Sequence, residues 1–229
     1  CEMIRQEICY PHLNVKIACS HGGVTPANDG ASHQCIEDMG ILSTIPGMTV
    51  VMPADYNAAR KLTRAAAEFD GPVYLRFTRD AVPEVYGPEQ EFVIGKAITL
   101  REGTDAAIIS IGDTVHIALE AAEELLKQGI KARVLDMHTI KPLDVEAVTK
   151  AVNECGKIVT VEDHNIINGL GSAVAGVAGH APDHIALVVV DHGQAIFLGD
   201  GGIDIVVGVA GIDLDVGVDS LCALNEAGQ

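Results

Sequence analysis

Between Ser20 and Gln34 the chain reads Ser-His-Gly-Gly-Val-Thr-Pro-Ala-Asn-Asp-Gly-Ala-Ser-His-Gln. This sets His21, Asp29 and His33 on one short glycine-rich stretch behind the apolar run Val15 to Cys19. Imidazole exchanges protons near neutral pH without any perturbation of its pKa. A carboxylate between two such rings can orient a polyhydroxylated substrate and stabilise a charged ring. Loops at strand ends are where α/β proteins carry chemistry, because the sheet beneath holds them in place. The same residues also suit a polar surface loop in which Gly22, Gly23 and Gly30 are simply turn residues.

The elements that must position this stretch follow from the apolar pattern. Val15 to Cys19, Met48 to Met52 and Val73 to Phe77 read as strands, and Gln34 to Thr44 has helical character ending before Pro46. Ala58, Leu62, Ala65, Ala66 and Phe69 fall at helical spacing, which predicts a helix over 57–69 with Asp55 as its N-cap. Asp80 to Gln90, with two prolines and a glycine, reads as a linker. A second half follows: an edge strand over Phe92 to Leu100, a buried strand over Ala106 to Ile111, and a helix from Val115 stopping at Gly129. A strand over Ala132 to Leu135, a helix from Val145 to Cys155 and a strand over Lys157 to Val161 continue the alternation. A small-residue helix over Gly171 to His180 follows, and Ile185 to Val190 closes the sheet. Alternation of this kind predicts a three-layer α/β protein with mostly parallel sheets in two domains.

After Asp191 the pattern changes. Ile203, Ile205, Val207 and Val209, then Ile212, Leu214, Val216 and Val218, alternate with period two and predict strands with a hairpin turn at Gly211. The expected division is therefore 1–86, 87–190 and a tail over 191–229.

Composition narrows the function. The chain has 229 residues, 48% of them hydrophobic and dispersed among charges, as a folded globular chain requires. No apolar run reaches the roughly 18 to 20 residues needed to cross a bilayer, and Glu2, Arg5, Gln6 and Glu7 interrupt any secretory signal. Cys1 in place of an initiator methionine leads us to expect an upstream portion. The six cysteines include no Cys-x-x-Cys pair, which predicts free thiols in a reducing cytoplasm and neither disulfides nor zinc. A formal charge of −17 excludes the basic surface that a nucleic acid needs and disfavours an anionic membrane.

More specific than any of these patterns is a run of segments: His21, Asp29-Gly30-Ala31-Ser32-His33-Gln34, Ile45-Pro46-Gly47-Met48 through Met52-Pro53-Ala54-Asp55, Asp70-Gly71-Pro72-Val73-Tyr74-Leu75-Arg76, His138-Thr139-Ile140-Lys141-Pro142-Leu143-Asp144, and Val161-Glu162-Asp163-His164-Asn165 leading into Gly169-Leu170-Gly171-Ser172-Ala173-Val174. In order and spacing these resemble the transketolase family, from about Ile4 to Pro182. The likeness is to the pyrimidine-binding and C-terminal domains, and to the separately encoded C-terminal subunit of many prokaryotes.

The resemblance implies a thiamine diphosphate-dependent transfer of a two-carbon ketol unit between sugar phosphates. It implies that His33 lies beside the cofactor and the substrate carbonyl, where an imidazole can hydrogen-bond a developing alkoxide. Asp29 would contact a substrate hydroxyl, and His21 would lie near the substrate phosphate. Arg76 and Arg79 are both candidate phosphate clamps, because guanidinium matches phosphate with paired hydrogen bonds; Arg79 fits the family pattern slightly better. Read without the resemblance, the pair is a solvated or ion-paired strand edge. His164 is expected to be structural, capping the turn that follows it, and Gly169-Leu170-Gly171 to serve close helix packing.

By the same resemblance, the family's pyrimidine-binding domain begins about a hundred residues earlier, and its catalytic glutamate lies in that part, so no residue here inherits it. The magnesium-diphosphate motif belongs to an N-terminal domain or subunit, the expected partner in a homodimer or heterotetramer. Gly199-Asp200-Gly201 with Asn225 resembles that motif at too short a spacing, and no metal ligand is assigned to this chain. The competing expectations are 1-deoxyxylulose-5-phosphate synthase, a 2-oxoacid dehydrogenase E1 β-type subunit, or a non-catalytic assembly module.

Overall fold

The structure, a computed structural model, describes residues 1–179 and the backbone of Ile185–Val190, Ile196–Leu198 and Ile203–Val207. A π-helical segment, Ile4–Cys9, precedes β1 (Lys16–Cys19), α1 (Asp38–Ser43), β2 (Thr49–Val51), α2 (Tyr56–Glu68) and β3 (Val73–Arg76). Then come β4 (Ile98–Arg101), β5 (Ala106–Ser110), α3 (Val115–Lys127), β6 (Ala132–Asp136) and β7 (Thr139–Lys141). The last elements are α4 (Val145–Cys155), β8 (Lys157–Val161), α5 (Leu170–Ala178), β9 (Ile185–Val190), β10 (Ile196–Leu198) and β11 (Ile203–Val207).

Local chemistry explains the helix boundaries. Asp55 Oδ1 accepts the Ala58 N–H at 2.7 Å, the N-cap bond expected from its position. Its other oxygen accepts from Val85 and Tyr86, so one carboxylate starts α2 and also pins the linker. Ala58, Leu62 and Ala66, one helical face, are fully buried against Val51, Val73 and Leu75. Asp144 caps α4 through Ala147, and Gly156 closes it in the left-handed conformation.

Two mixed, mostly parallel sheets result. The first has the order β1-β3-β2-β7, with β7 antiparallel; the second has the order β10-β11-β9-β8-β5-β6-β4. β7 comes from the second half yet completes the first half's sheet. One core cluster joins Met39, Met48, Val50, Met52 and Tyr74 of the first half to Ile109, Leu135, Met137 and Val148 of the second.

Several boundaries differ from those expected. Helix α1 covers only Asp38–Ser43, because Cys35 exchanges backbone hydrogen bonds with Gly23 and so cannot enter it. The predicted edge strand begins only at Ile98, since Val93 to Lys96 forms a turn, but it does lie at the sheet edge. β9 does not close the sheet, because β11 pairs with it in parallel and β10 lies outside β11. The Ile203 strand is present; the Gly211 hairpin, Asp200 and Asn225 lie outside the described residues.

In the second sheet the chain leaves β5 for β6 on one side and returns to β8 on the other, with all three strands parallel. The C-terminal ends of β5 and β8 therefore flank a topological switch point, the crevice where open α/β sheets hold ligands.

Candidate functional site

β1 and β3 are parallel neighbours with Cys19 opposite Arg76, so the loops that follow them leave the same edge of the first sheet. This is why residues 20–33 and 77–80 meet. Asp29 ends a short 3₁₀ turn, Ala27–Asp29, and its carboxylate lies 3.5 Å from the Arg79 guanidinium, each side chain a little over one third exposed. His33 is exposed; its N–H donates to the Gly30 carbonyl, and its Nδ1 lies 3.0 Å from Ser32 Oγ. His21 is half-buried with Nδ1 2.8 Å from Ser20 Oγ. Each ring has a serine hydroxyl at Nδ1, and among the described residues neither Nε2 has a hydrogen-bonding partner. His21 also adopts φ 67, a left-handed conformation costly for a residue with a Cβ. Such strain persists only where the surroundings over-determine it.

Arg76 behaves differently. Its side chain is fully buried, with Nε donating to Asp38 Oδ2 at 2.9 Å, Nη2 to the carbonyls of Cys35 and Asp163 at 2.9 Å, and Nη1 to the Met52 sulfur at 3.1 Å. The expectation that either arginine could clamp phosphate is thus corrected for Arg76: it has no surface to offer and four of its five N–H donors are taken. It organises the interior. Tyr74 O–H donates to the same Asp38 oxygen at 2.6 Å, and Gly22 has no room for a Cβ because the Arg76 guanidinium occupies that space.

Asp113 also belongs to this interior cluster. Burial, then the nearby Asp163 charge, pushes its carboxyl up to about 7, with Arg76 opposing. His164 is wholly buried, and desolvation lowers its pKa. Its Nδ1 lies 2.7 Å from the Asn165 carbonyl and its Nε2 accepts the Gly40 N–H at 3.2 Å. The buried ring thus bonds the carbonyl of the residue that follows it and also ties α1 of the first half to the second half. Glu162 accepts from Leu170 and Gly171 N–H at 2.7 and 2.8 Å and fills the space beside Gly169. The α5 N-terminus is thereby occupied by the chain's own carboxylate, a favourable charge at that end of a helix.

Sequence reasoning gave no role to Asp38 or Asp113 and quoted Asp163 only within the Val161 to Asn165 run; the three lie in separate segments, and only the fold brings them to Arg76. A groove of about 470 Å³ between Arg5, Cys9, His12 and Gly47 contains none of these groups. Among the described residues no His, Cys, Asp and Glu side chains cluster in a way that could hold a metal.

Residues 2–84 match the transketolase pyrimidine-binding domain, and residues 95–194 match the transketolase C-terminal domain. The chain belongs to the transketolase family. It is 44% identical over 82% of its length to one of the subunits of apulose-4-phosphate transketolase from Phocaeicola vulgatus, and 43% identical over 76% to the 6-deoxy-6-sulfo-D-fructose transketolase subunit SqwH of a Clostridium species. A solved split-gene transketolase, described as an inactive β4 tetramer, superposes with TM-score 0.74 at 46% identity over 79% of the chain. The chain spans 60% and 54% of the two curated relatives and 58% of the solved one. In this transketolase chain, then, the His21–His33 loop lies in the pyrimidine-binding region, and the Glu162-Asp163-His164 run lies in the C-terminal region.

Proposed function

We propose that this chain is the C-terminal part of a thiamine diphosphate-dependent transketolase that moves a two-carbon ketol unit between sugar phosphates. It acts with an N-terminal transketolase subunit or domain, as a homodimer or heterotetramer in the cytoplasm. Residues 1–86 form the C-terminal portion of the pyrimidine-binding domain, 87–190 the transketolase C-terminal domain, and 191–229 a divergent tail. The observation that carries the reading is the convergence of the loops after β1 and β3, where Arg79 of the second pairs at the surface with Asp29 of the first, the loop that also bears His21 and His33.

The donor set fits the substrate side of a thiamine diphosphate site. It offers two imidazoles, each with Nε2 open, together with a carboxylate and a guanidinium, and Gly30 has open space beside it. It does not supply diphosphate or magnesium ligands, which the reading leaves to the N-terminal partner. When bound, the cofactor supplies carbanion stabilisation. His33, carrying its proton on Nε2, would donate a hydrogen bond to the substrate carbonyl oxygen as negative charge develops there and could pass that proton to it. Asp29 accepts from a substrate hydroxyl.

Arg79, with His21 beside the same terminus, holds the substrate's anionic end. The two relatives are named for substrates ending in a phosphate and a sulfonate, so an anion receptor suits both. The exposed Asp29–Arg79 pair is worth only about 0–1 kcal/mol. A charge-assisted phosphate contact at roughly 1.5–3 kcal/mol displaces it readily.

The test is turnover in a complex reconstituted with an N-terminal transketolase subunit. His33→Ala should lower kcat by roughly 10²-fold or more, as expected for a group acting in proton transfer or oxyanion stabilisation. His164→Ala should lower the melting temperature more than turnover. Equal losses of turnover in two folded variants would move the site away from the loop.

A further inference from the structure

The switch-point crevice of the second sheet is filled by the chain itself. At the end of β8, both Asp163 carboxylate oxygens accept the Val24 N–H at 3.1 Å, across 139 residues of sequence. Gly23, at φ +83, packs so closely on that carboxylate that a Cβ there would overlap it. The following Asn165 donates its backbone N–H and its side-chain amide to the Ile36 carbonyl, at 2.9 and 2.6 Å. Arg76 closes the arrangement from the first half, its Nη2 donating to the backbone carbonyls of both Cys35 and Asp163. The segment between these anchors carries Asp29 and His33, and His21 lies two residues before the first of them.

We propose that Asp163 is a positioning residue: it holds the His21–His33 loop against the C-terminal domain and so fixes where the loop's side chains meet substrate. Its catalytic consequence rests on the reading of that loop as the substrate-facing site. The alternative, that Asp163 is one more buried acid supporting the fold, does not account for the geometry at Gly23 and Val24. There the carboxylate accepts the Val24 N–H of the loop and fills the space beside Gly23. The β5 side of the crevice presents Asp113, whose buried carboxyl is raised to about 7 in part by Asp163.

The experiment pairs amide hydrogen exchange on the full chain with kinetics of the complex reconstituted with an N-terminal transketolase subunit. In Asp163→Ala, exchange at Val24 and Cys35 should rise at least about tenfold while amides in β5 and β8 keep wild-type rates. The kcat of the complex should fall roughly 10- to 100-fold, the scale expected from a displaced catalytic group. Asp163→Asn, which keeps an acceptor oxygen for Val24, should restore most of both. Should the alanine variant fail to fold, Asp163→Glu gives the same reading. It keeps the charge, but its extra methylene has no space beside Gly23, so it should loosen Val24 all the same. A folded Asp163→Ala chain with wild-type exchange at Val24 overturns the proposal. Raised exchange with unchanged kcat upholds the positioning and overturns the loop as the catalytic site.

Discussion

Two residues separate Arg76 from Arg79, and the fold gives them opposite fates. Arg76 is still in β3 and shares a strand face with Tyr74; both reach Asp38, so the guanidinium completes a buried polar cluster. Arg79 has left the strand and pairs with Asp29 in solvent. The spacing could not decide between them, because the deciding partner, Asp38, lies 38 residues away and has no motif of its own. The histidines and Asp29 were legible because their types and the glycines around them imply a loop chemistry.

This difference sets one prediction. In the reconstituted complex, Arg79→Leu should raise KM for phosphorylated acceptors about ten- to a hundredfold, since each 1.4 kcal/mol is a factor of ten. Unphosphorylated glycolaldehyde should be nearly unaffected, and Arg79→Lys should rescue only in part, being a point charge without the planar fork. Arg76→Leu should instead cost roughly 3–5 kcal/mol in chemical denaturation, because it strands the Asp38 carboxylate in the interior. Equal KM losses for both acceptors in Arg79→Leu would make that arginine a support of the fold.

At the scale of elements, helices α2, α3 and α4 were legible almost to the residue, because a helical apolar period agrees with at least one boundary signal in each: Asp55 before α2, Gly129 after α3, and Asp144 and Gly156 around α4. What was not legible is pairing between halves. The strand β7 is three residues inside a Thr-Ile-Lys-Pro run, and it exists because β2 offers an edge. The second half also carries buried ionisable groups that tie stability to pH. Burial raises the Asp136 carboxyl, which accepts from Tyr86 at 2.6 Å, to about 7, and Asp113 likewise. In the unfolded chain both titrate near 3.8, so between about 4 and 7 the folded state binds more protons and stability falls as pH rises. His138, lowered by burial to about 4, acts the other way: between about 6.5 and 4 the unfolded state binds more protons, and stability falls as pH falls. Asp136→Asn keeps an acceptor for Tyr86 and removes the buried charge. Its melting temperature should exceed the parent's by more at pH 8 than at pH 5. A gain that is the same at both values would mean Asp136 does not titrate in that window.

At the scale of the whole chain, a formal charge of −17 repels an anionic substrate and an anionic cofactor alike, so capture depends on local cationic groups. In the proposed site, that group is Arg79 for the substrate. For a diphosphate the described residues offer no comparable site: the α5 N-terminus is filled by Glu162, Arg76 is buried, and no metal-capable cluster is present among them. Under the proposed function the chain should therefore bind thiamine diphosphate only together with an N-terminal transketolase subunit, to which that reading assigns the magnesium-diphosphate half of the contact. Joining the two halves of a ligand's contacts in one assembly makes the second contact intramolecular, and affinity gains of 10²–10⁴ follow from effective concentration alone. Titration calorimetry should show at most weak, magnesium-independent heats for the chain alone and tight, magnesium-dependent binding once the N-terminal subunit is added. The ketol transfer should appear only in the mixture. Tight magnesium-dependent binding by the chain alone would overturn this division of labour and would make Asp200 and Asn225 the first residues to substitute.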